Sequence, residues 1–314
     1  LLEKPMAQTA DECRSIAEAA ERTGALVSVC YVLRYHPYFM KIRELSQRPQ
    51  MGAIVSVSHT ERVGNDRTAH TYVRGPWNVA EMDTTGFLSK CCHDVDFVLW
   101  LIGNDVKSVR STGTANHFRP ENAPEGAAAR CLDCKFESQC RYSAVDLYVR
   151  RKDWIKGFVP VAGESHDDAV MRALKESRYG RCVYDCPTND ALDHQVVEVE
   201  MTSGIKAEIV MECPTEEDNR VTRIEFENAV LEGDERIITV TYKDGRESEK
   251  YDFSWSKGMD FHANADLYIV EDFIEHVSMK DAKVRTSAEE AVVSHLVCFM
   301  AEESRLSDGK ILNY

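Results

Sequence analysis

The spacing of apolar and polar residues divides the chain into helical and extended segments. Residues 9–24 are predicted to form a helix, because Thr9 and Glu12 form a capping-box pattern at its start and Gly24 stands at its end. Residues 26–32 form a short β-branched run, which predicts a buried strand. Further helices are predicted over 37–48, 86–102, 166–178, 262–279 and 287–307, and further strands over 53–61, over 106–114 and repeatedly between 181 and 253.

The order of these segments predicts the fold class. A helix followed by a strand opens the chain, which is typical of α/β proteins. Between 181 and 253, strands alternate with turns such as those at 203–204 and 244–245, which predicts an antiparallel sheet with one buried face. The fold is therefore predicted to be α/β plus α+β. Its main feature is a large, mostly antiparallel open sheet that helices cover on one face.

Charge and composition narrow the classes of function. The 314 residues carry 38 Lys and Arg against 53 Asp and Glu, which gives a formal net charge of −15. Binding of nucleic acid needs a basic surface, so no nucleic-acid partner is expected. No uncharged apolar run approaches the ~20 residues of a membrane-spanning helix, so no membrane partner is expected either.

The cysteines indicate the cellular compartment of the protein, and the first residue indicates whether other residues precede this chain. Eleven cysteines, an odd number scattered along a long chain, fit a reducing compartment better than a disulfide framework. A cytoplasmic location is therefore predicted. The chain begins with Leu1 rather than methionine, in what reads as the end of a strand, so an N-terminal segment is expected to precede it.

The first candidate for chemistry is the segment Glu3-Lys4-Pro5, which follows two apolar residues. Ligands of open α/β sheets bind beyond the carboxyl ends of the strands. A lysine at that position supplies a cation beside a reacting alcohol or carbonyl. The alternative is a charged loop at a strand end, which is a common feature with no function.

The densest polar cluster lies in the helix predicted over 86–102. Ser89 and His93 are four residues apart, as are Lys90 and Asp94, so each pair shares a helix face. Lys90 and His93 can together present an ammonium and an imidazole at one helix end. Surface ion pairs on an amphipathic helix are the alternative, but no turn separates these polar residues from the apolar run that follows them.

Four segments resemble the Gfo/Idh/MocA family of NAD(P)-dependent dehydrogenases, which act mostly on sugars and cyclitols. LLEKPMA resembles the family's EKP segment at the end of a Rossmann strand, and RYHPYFMKIRELSQRPQMGAIVSV resembles its entry into the second domain. GFLSKCCHDVDFVLWLIG resembles the helix that carries GG-x-x-x-D-x-x-x-H-x-x-D, and TSAEEAVVSHLVCFMAEESRLSDGKI resembles the closing helix. The segments follow the family's order over nearly the whole chain.

The resemblance implies a domain organisation. Residues 1–34 are expected to be the C-terminal remnant of a Rossmann nucleotide-binding domain. Residues 35–285 are expected to form a substrate and oligomerisation domain with a cysteine-rich insertion near 117–163. Residues 286–314 are expected to be a closing helix that packs back on the Rossmann part. The family's glycine-rich phosphate turn has no counterpart here, since no GxGxxG occurs in the sequence.

The resemblance also implies roles for single residues. Lys4 matches the lysine beside nicotinamide and substrate, and His93 matches the catalytic histidine that accepts the proton of the substrate hydroxyl. Ser89 stands where the family has an acidic residue, which is expected to change both the substrate contacts and the tuning of His93. Lys90 is expected to bind substrate, where a second cation would suit an acidic sugar. Asp94 is a further candidate for the substrate site, Asp96 is expected to be structural, and the candidate cofactor contacts are Glu3, Lys4, Pro5 and Arg34.

Residues 63–85 are rich in turn formers and are predicted to form a long loop. Within it, His70, Arg74 and Trp77 are candidates for the pocket wall. Arg74 is expected to hold a carboxylate or a pair of hydroxyls, and Trp77 to stack on a sugar face. A solvated surface loop is the alternative. Weaker candidates, for which a helix N-cap is favoured, are His262 and Asp266.

Three cysteines of the insertion have the spacing CxxCx5C. Cys131, Cys134 and Cys140 lie in an irregular segment, and CxxC is half of a common zinc site. A fourth thiolate is needed, and Cys182 or Cys186 is the nearest in sequence. Structural zinc and free thiols are both open interpretations, whereas an iron–sulfur cluster is less favoured.

These expectations combine into one function with alternatives. The chain is predicted to be an oxidoreductase that transfers a hydride between NAD or NADP and a hydroxyl of a sugar, cyclitol or related polyol, with Lys4 and His93 as the catalytic pair. The alternatives are a non-enzymatic sugar-sensing or scaffold protein of the same fold, NAD-assisted glycoside cleavage, and a zinc-stabilised interaction module. A homo-oligomer, either a dimer or a tetramer, is expected to form through the open face of the sheet.

Overall fold

The computed structural model describes residues 1–75, 77, 86–154, 160–186, 192–258, 261–279 and 283–314. Within these ranges, nine strands form a single sheet. In chain order the strands are β1 (Ile54–Gly64), β2 (Val106–Thr114), β3 (His194–Met201), β4 (Lys206–Thr215), β5 (Asn219–Phe226), β6 (Ala229–Gly233), β7 (Ile237–Tyr242), β8 (Glu249–Asp252) and β9 (Leu312–Asn313).

The sheet has the strand order β8-β7-β6-β5-β1-β4-β3-β2-β9. All pairings are antiparallel except that of β1 with β4, which is parallel. The prediction of a large, mostly antiparallel sheet is thereby confirmed. At its centre, β1 sets Glu61 opposite Arg220 of β5, and His59 opposite Thr222 of the same strand.

Alternation along the strands gives the sheet one apolar face. Val197, Ile209 and Ile224 belong to the main core and are fully buried, and burying each such side chain contributes about 1.5–3 kcal/mol. The opposite face carries cross-strand ion pairs, for example Arg110 with Glu198 at 3.2 Å, between half-exposed side chains. That face is therefore more polar than an apolar dimer interface would require, and association through it stays a prediction.

Seven helices accompany the sheet in the described chain. The bounds of α1 follow the capping signals, because the Thr9 side chain accepts a hydrogen bond from the backbone of Glu12 and Gly24 adopts the left-handed conformation at φ +65°. None of the described helices is long and apolar enough to cross a membrane. The helices are α1 (Ala10–Thr23), α2 (Pro37–Ser46), α3 (Asn65–Arg67), α4 (Gly86–Ile102), α5 (His166–Glu176), α6 (Ala265–Val277) and α7 (Ala288–Leu306).

Helix α4 has the bounds that the sequence predicts, and it packs against β1, β4 and α7. Its apolar side chains belong to the main core, and its polar residues Ser89, His93, Asp94 and Asp96 are buried too. The alternative of an amphipathic helix with surface ion pairs is therefore wrong. A buried polar side chain needs a partner, so the contacts of these residues indicate what the helix does.

The strand predicted over 26–32 is reduced to two bridge residues. Leu2 pairs with Val29 in parallel, and Ser28 pairs with Ser287 in antiparallel fashion. The β-branched residues correctly indicate extended backbone. In the described chain, however, each of the two neighbouring segments supplies only one residue that pairs with it, so no longer strand forms. Helix α7 packs on α1 and α4. The division into 1–34, 35–285 and 286–314 stays a prediction.

The loop predicted over 63–85 is partly helical. After α3, residues Thr68–Val73 form a single π-helical turn. Residues 76 and 78–85 lie outside the described residues. The turn formers of this segment gave no sign of the helix, because its buried side chains pack on residues that come much later in the chain.

The cysteine-rich insertion has a small apolar core of its own. Leu147 and Tyr148 pack with Leu174 of α5, and all three are at most 2% exposed. An isolated bridge between Arg130 and Arg181 ties the two ends of this region together. The structural unit therefore extends past the predicted limit of 163.

Candidate active site

A cavity of about 500 Å³ opens beside the C-terminal end of β1, the start of β5 and the first turns of α4. Its wall includes Glu61 of β1, Lys90 of α4 and Arg220 of β5. His36, the N-cap residue of α2, and His262, which precedes α6, contribute two imidazoles to the wall. Segments that are distant in sequence thus supply one polar site.

Lys4 and His93 come together at the first turns of α4, the helix that also supplies Lys90 to the cavity wall. Lys4 Nζ donates a hydrogen bond to the carbonyl oxygen of Ser89 at 2.9 Å, which holds its charge at the start of α4. His93 follows one turn later and is 6% exposed. Its ring meets that of Tyr31 edge-on, with centroids 5.7 Å apart. Its Nδ1 atom is buried without a hydrogen-bond partner among the described residues.

The surroundings of His93 favour the neutral imidazole. Burial lowers the pKa of His93 well below its usual value, and the positive charges of Lys4 and Arg220 lower it further. A neutral imidazole carries a free lone pair, so it can accept a proton at neutral pH. A lysine cation beside it can stabilise negative charge that develops on a substrate oxygen.

Asp94 is fully buried and belongs to a hydrogen-bonded network. Its Oδ1 atom accepts hydrogen bonds from His59 Nε2 at 2.9 Å and from Arg220 Nε at 2.6 Å. Burial alone would raise the pKa of Asp94, but Arg220 and His59 hold it below its usual value. The predicted contact of Asp94 with substrate is not supported, because the side chain is inaccessible. Asp94 instead holds Arg220 in position.

Lys90 reaches the cavity wall as expected, but it is paired. Its Nζ atom lies 2.8 Å from Oε1 of Glu61, a carboxylate that is 1% exposed. The other oxygen of Glu61 lies 2.8 Å from Nε of Arg220, which also contacts Glu235 at 3.2 Å. Burial raises the pKa of Glu61, and the charges of Arg220 and Lys90 oppose that rise.

His59, Glu61 and Arg220 were not predicted to belong to the site. The sequence carried a partial signal, because His59 and Glu61 alternate with half-buried positions of β1 and lie on the same side as the buried Val57. Polar residues on a buried face indicate either a network or a site. The contribution of Arg220 depends on the register of β5 against β1, which the sequence does not reveal.

Arg34, a predicted cofactor contact, is a buried structural anchor. Its Nε and Nη2 atoms donate to the two carboxylate oxygens of Asp96, both at 2.8 Å. Its Nη1 atom contacts Glu290 and the carbonyl oxygen of Arg285 near the start of α7. The expectation that Asp96 is structural agrees with this pairing, whereas the cofactor role of Arg34 does not.

His70 and Arg74 join the insertion instead of the cavity wall. The Nδ1 atom of His70 is hydrogen-bonded to the Tyr148 hydroxyl at 2.7 Å. Arg74 is 1% exposed and donates to the carbonyl oxygens of Arg181 at 2.8 Å and Tyr142 at 2.7 Å. Neither side chain lines the cavity, so their role in substrate binding gains no support there and stays a prediction.

Trp77 and Ser89 also lie away from the cavity wall. Trp77 is half-buried and packs against the main core with its ring 6.3 Å from that of Tyr72, and its stacking on a sugar face stays a prediction. The Ser89 hydroxyl donates to the carbonyl oxygen of Gly86 within α4 at 2.9 Å, and the residue is 5% exposed. A hydroxyl satisfied by its own helix is not presented to a substrate.

The remaining candidates lie at the two edges of the site. Glu3 is exposed and accepts a hydrogen bond from the backbone of Lys4 at 3.2 Å, and the Lys4–Pro5 peptide bond is cis. The cofactor contacts of Glu3 and Pro5 stay predictions. His262 is 3.0 Å from Asp266, and the N-cap of α6 is Asn264. The N-cap interpretation of His262 is therefore wrong, and the residue lines the cavity.

The four cysteines predicted to bind zinc all lie in the insertion. Cys134, Cys140 and Cys182 line a second cavity of about 510 Å³, and Cys131 Sγ lies 3.5 Å from Arg74 Nη2. Burial raises the pKa of both Cys140 and Cys182, which favours the thiol over the thiolate. Across the described ranges, no three His, Cys, Asp or Glu side chains are grouped to hold a metal ion. The geometry therefore gives the zinc prediction no support.

The buried histidines predict a loss of stability in mild acid. Burial lowers the pKa of His36 and His295 to about 4, and that of His93 also falls below its usual value. The unfolded chain binds these protons near pH ~6.5, whereas the folded chain does not, so stability falls as pH drops from about 6.5 toward 4. Each histidine contributes up to about 1.4 kcal/mol per pH unit. Denaturant unfolding at a series of pH values measures this slope.

A variant pair isolates one histidine in that measurement. His295→Gln removes a buried titrating group, so the slope of unfolding free energy against pH is expected to decrease. His194→Gln is the control, since His194 is exposed and should leave the slope unchanged. A slope that stays the same in His295→Gln would contradict the assignment.

Comparisons with known proteins are consistent with this architecture. No family model matches the chain. YteT of Bacillus subtilis, a protein named as an oxidoreductase, is 26% identical over 147 residues. That segment covers 45% of this chain and 34% of YteT, so the match spans about a third of the relative.

Solved structures resemble the chain over its whole described length. An oxidoreductase from Agrobacterium radiobacter, in complex with NAD+, L-tartaric acid and magnesium, matches 99% of this chain and 71% of its own with a TM-score of 0.66 at 11% identity. Levoglucosan dehydrogenase, in complex with NADH and levoglucosan, matches 99% of this chain and 72% of its own. The TM-score is 0.67 and the sequence identity is 12%. At such identities the likeness shows the fold alone.

Proposed function

We propose that this chain, which has the Gfo/Idh/MocA-type NAD-binding oxidoreductase fold, carries the substrate site of an NAD(P)-dependent dehydrogenase acting on a hydroxyl of a sugar, cyclitol or related polyol. The observation that carries the proposal is the buried His93 beside Lys4, on the same helix that supplies Lys90 to the wall of the polar cavity. A neutral base next to a fixed cation is the arrangement that oxidation of an alcohol needs.

The described residues fit the nicotinamide end of a dinucleotide. Lys4 follows the bridge between Leu2 and Val29, and ligands of α/β sheets bind beyond such strand ends. NAD(P)+ supplies the hydride acceptor when it is bound. No glycine-rich phosphate turn occurs among the described residues, so roles are assigned to this chain only around the reacting carbon.

In the proposed reaction, His93 accepts the proton of the substrate hydroxyl while the hydride leaves the same carbon. Lys4 stabilises the negative charge that develops on the oxygen before the carbonyl forms. The two side chains approach the oxygen from one direction, because the hydrogen bond of Lys4 to the Ser89 carbonyl holds it on the first turn of α4. Burial is the main cause that keeps His93 neutral, and the positive charges of Lys4 and of Arg220, which Asp94 holds, add to it.

The decisive experiment titrates the chain with NADH and with NADPH. Energy transfer from the four tryptophans to bound nicotinamide reports binding, and nicotinamide absorbance reports turnover with a panel of sugars and cyclitols. We expect saturable binding, weaker in Lys4→Met, and reduction of NAD(P)+ by at least one member of the panel. Absence of cofactor binding at millimolar concentration would refute the proposal for this chain.

The same experiment separates the alternatives. A sugar-sensing or scaffold protein would bind sugar or cofactor with no change in nicotinamide absorbance. NAD-assisted glycoside cleavage would release sugar from a glycoside without net formation of NADH. Only a dehydrogenase accumulates reduced cofactor in proportion to the polyol consumed.

A further inference from the structure

We propose that the cavity beside α4 selects uncharged, hydroxyl-rich substrates and excludes carboxylates and phosphates. This inference rests on the proposed function only in taking the cavity as the substrate site. It is carried by the pairing of the cations in the wall and by the surplus of negative charge there, to which two buried oxygens without donors add.

Lys90 is the cation that would suit an acidic sugar, and it is already neutralised. Its Nζ atom lies 2.8 Å from Glu61, and the lysine side chain is only 13% exposed. An incoming carboxylate would have to draw Lys90 away and leave Glu61 buried with one cation fewer, which is strongly unfavourable. The other cations of the described wall are paired as well: Arg220 with Asp94 at 2.6 Å, Arg67 with Asp218 at 2.8 Å and Arg236 with Asp234 at 3.2 Å.

The wall also carries more negative than positive charge. Six carboxylates and four cations line the cavity, so two negative charges are in excess when the histidines are neutral. His36 is neutral above mildly acidic pH, because burial lowers its pKa to about 4. An anion in the cavity would therefore meet net repulsion, and part of the wall is buried enough for that repulsion to be weakly screened.

Two acceptor atoms in the wall residues lack hydrogen-bond donors. Oε2 of Glu61 and Oδ1 of Asn219 are buried without a hydrogen-bond partner among the described residues. The Glu61 atom lies 2.8 Å from Arg220 Nε, but outside hydrogen-bond geometry. The amide of Asn219 is oriented by its Nδ2 atom, which donates to the Asp234 carbonyl oxygen at 3.3 Å. These oxygens are themselves inaccessible, so they act on a ligand in the cavity only through the negative potential of the wall, which repels an anion and not a neutral hydroxyl.

The test follows the imidazole NMR signals of His262, which lies in the wall, while the full chain is titrated. The probes are inorganic phosphate and two matched pairs, D-glucose with D-glucuronate and D-galactose with D-galacturonate. We expect no saturable shift with phosphate at tens of millimolar, and each uronate to bind at least about tenfold more weakly than its parent hexose. Glu61→Gln frees Lys90, so it is expected to bind phosphate saturably and to bring uronate and hexose affinities together.

Two further variants make the result interpretable. Glu198→Gln removes the same charge on the opposite face of the sheet and should leave all affinities unchanged. Glu235→Gln removes a partner of Arg220 that is only 23% exposed, and it replaces Glu61→Gln if that variant fails to fold. Like Glu61→Gln, the Glu235→Gln variant is expected to bind phosphate more strongly than the unaltered chain.

The outcomes distinguish this inference from the proposed function. Saturable phosphate binding by the unaltered chain, uronates that bind as tightly as their parents, or wall variants that still exclude phosphate would each overturn the charge selection. If phosphate is excluded and the wall variants admit it while neither hexose binds, the charge selection is supported and the tested hexoses are eliminated as substrates of the proposed function.

Discussion

Replacing His93 by glutamine is expected to lower the rate of NAD(P)-linked polyol oxidation by about 10²–10⁴-fold, the usual contribution of a general base. Glutamine keeps the size and a hydrogen-bonding group but cannot accept the hydroxyl proton. Steady-state kinetics in any preparation of this chain that reduces NAD(P)+ measures the effect. Substrate and cofactor affinities are expected to change little, because the lost interaction operates mainly as the proton leaves.

The pH profile shows whether His93 acts as the base. The lowered pKa of His93 places the acid limb of kcat/KM below about pH 6.5, the ordinary value for histidine. That limb should be lost in His93→Gln. Lys4→Met is the matched comparison, because it removes the neighbouring cation and leaves the base. It should lower kcat, keep an acid limb and move that limb to higher pH, since Lys4 is one cause of the lowered pKa.

Two results would contradict the assignment. A His93→Gln variant that keeps its rate within a few-fold of the parent would show that another group takes the proton. An acid limb that persists unchanged in this variant would show that a different residue titrates. Either result would leave Lys4, the other predicted member of the pair, without its proposed partner.

Helix α4 shows why one short segment carries so much of the site. Lys90 and Asp94 share one face of the helix, where Lys90 meets Glu61 of β1 and Asp94 meets Arg220 of β5. His93 lies beside Lys4, from the beginning of the chain. A helix turns about 100° per residue, so neighbouring residues contact different elements, and one buried helix can join several of them.

Local features of the fold could be predicted from the sequence. The capping pair Thr9 and Glu12, the helix end at Gly24 and the limits of α4 all depend on residues close together in the chain. Alternation predicted the strands of the sheet for the same reason. Local patterns marked Lys4 and His93 as candidates, but their specific roles came from the family resemblance, since neither residue stands in a pattern that specifies its chemistry alone.

Long-range pairing could not be predicted in the same way. The family resemblance implied that Arg34 contacts the cofactor, but its partner Asp96 lies 62 residues later. Arg74 was taken as a substrate contact, and its acceptors include the carbonyl oxygen of Arg181, 107 residues later. A cation's charge and position alone do not distinguish a ligand contact from a buried anchor. Only the fold decides which carboxylate or carbonyl it meets.

Replacing Asp96 by alanine is expected to lower the free energy of unfolding by about 3–5 kcal/mol, because it leaves a buried guanidinium without its main partner. Arg34 and Asp96 form two parallel hydrogen bonds of 2.8 Å, and their side chains are 3% and 1% exposed. Glu290 remains near Arg34, but it is half exposed and compensates only in part. Urea unfolding followed by circular dichroism measures the loss.

A double-mutant cycle separates the contribution of the ion pair to stability from the penalty of leaving one charge buried without its partner. Arg34→Met with Asp96→Leu removes both charges and fills similar volume, so the double variant is expected to be more stable than Asp96→Ala. The exposed pair Arg110 and Glu198 is the control, and its removal is expected to cost less than about 1 kcal/mol. A loss below that value in Asp96→Ala, or a double variant less stable than either single one, would show that the pair does not anchor α4. The expected result would instead mean that this ion pair holds α4 against the start of α7, because Arg34 also contacts the Arg285 carbonyl oxygen and Glu290. The pair would then fix the position of the helix that presents His93.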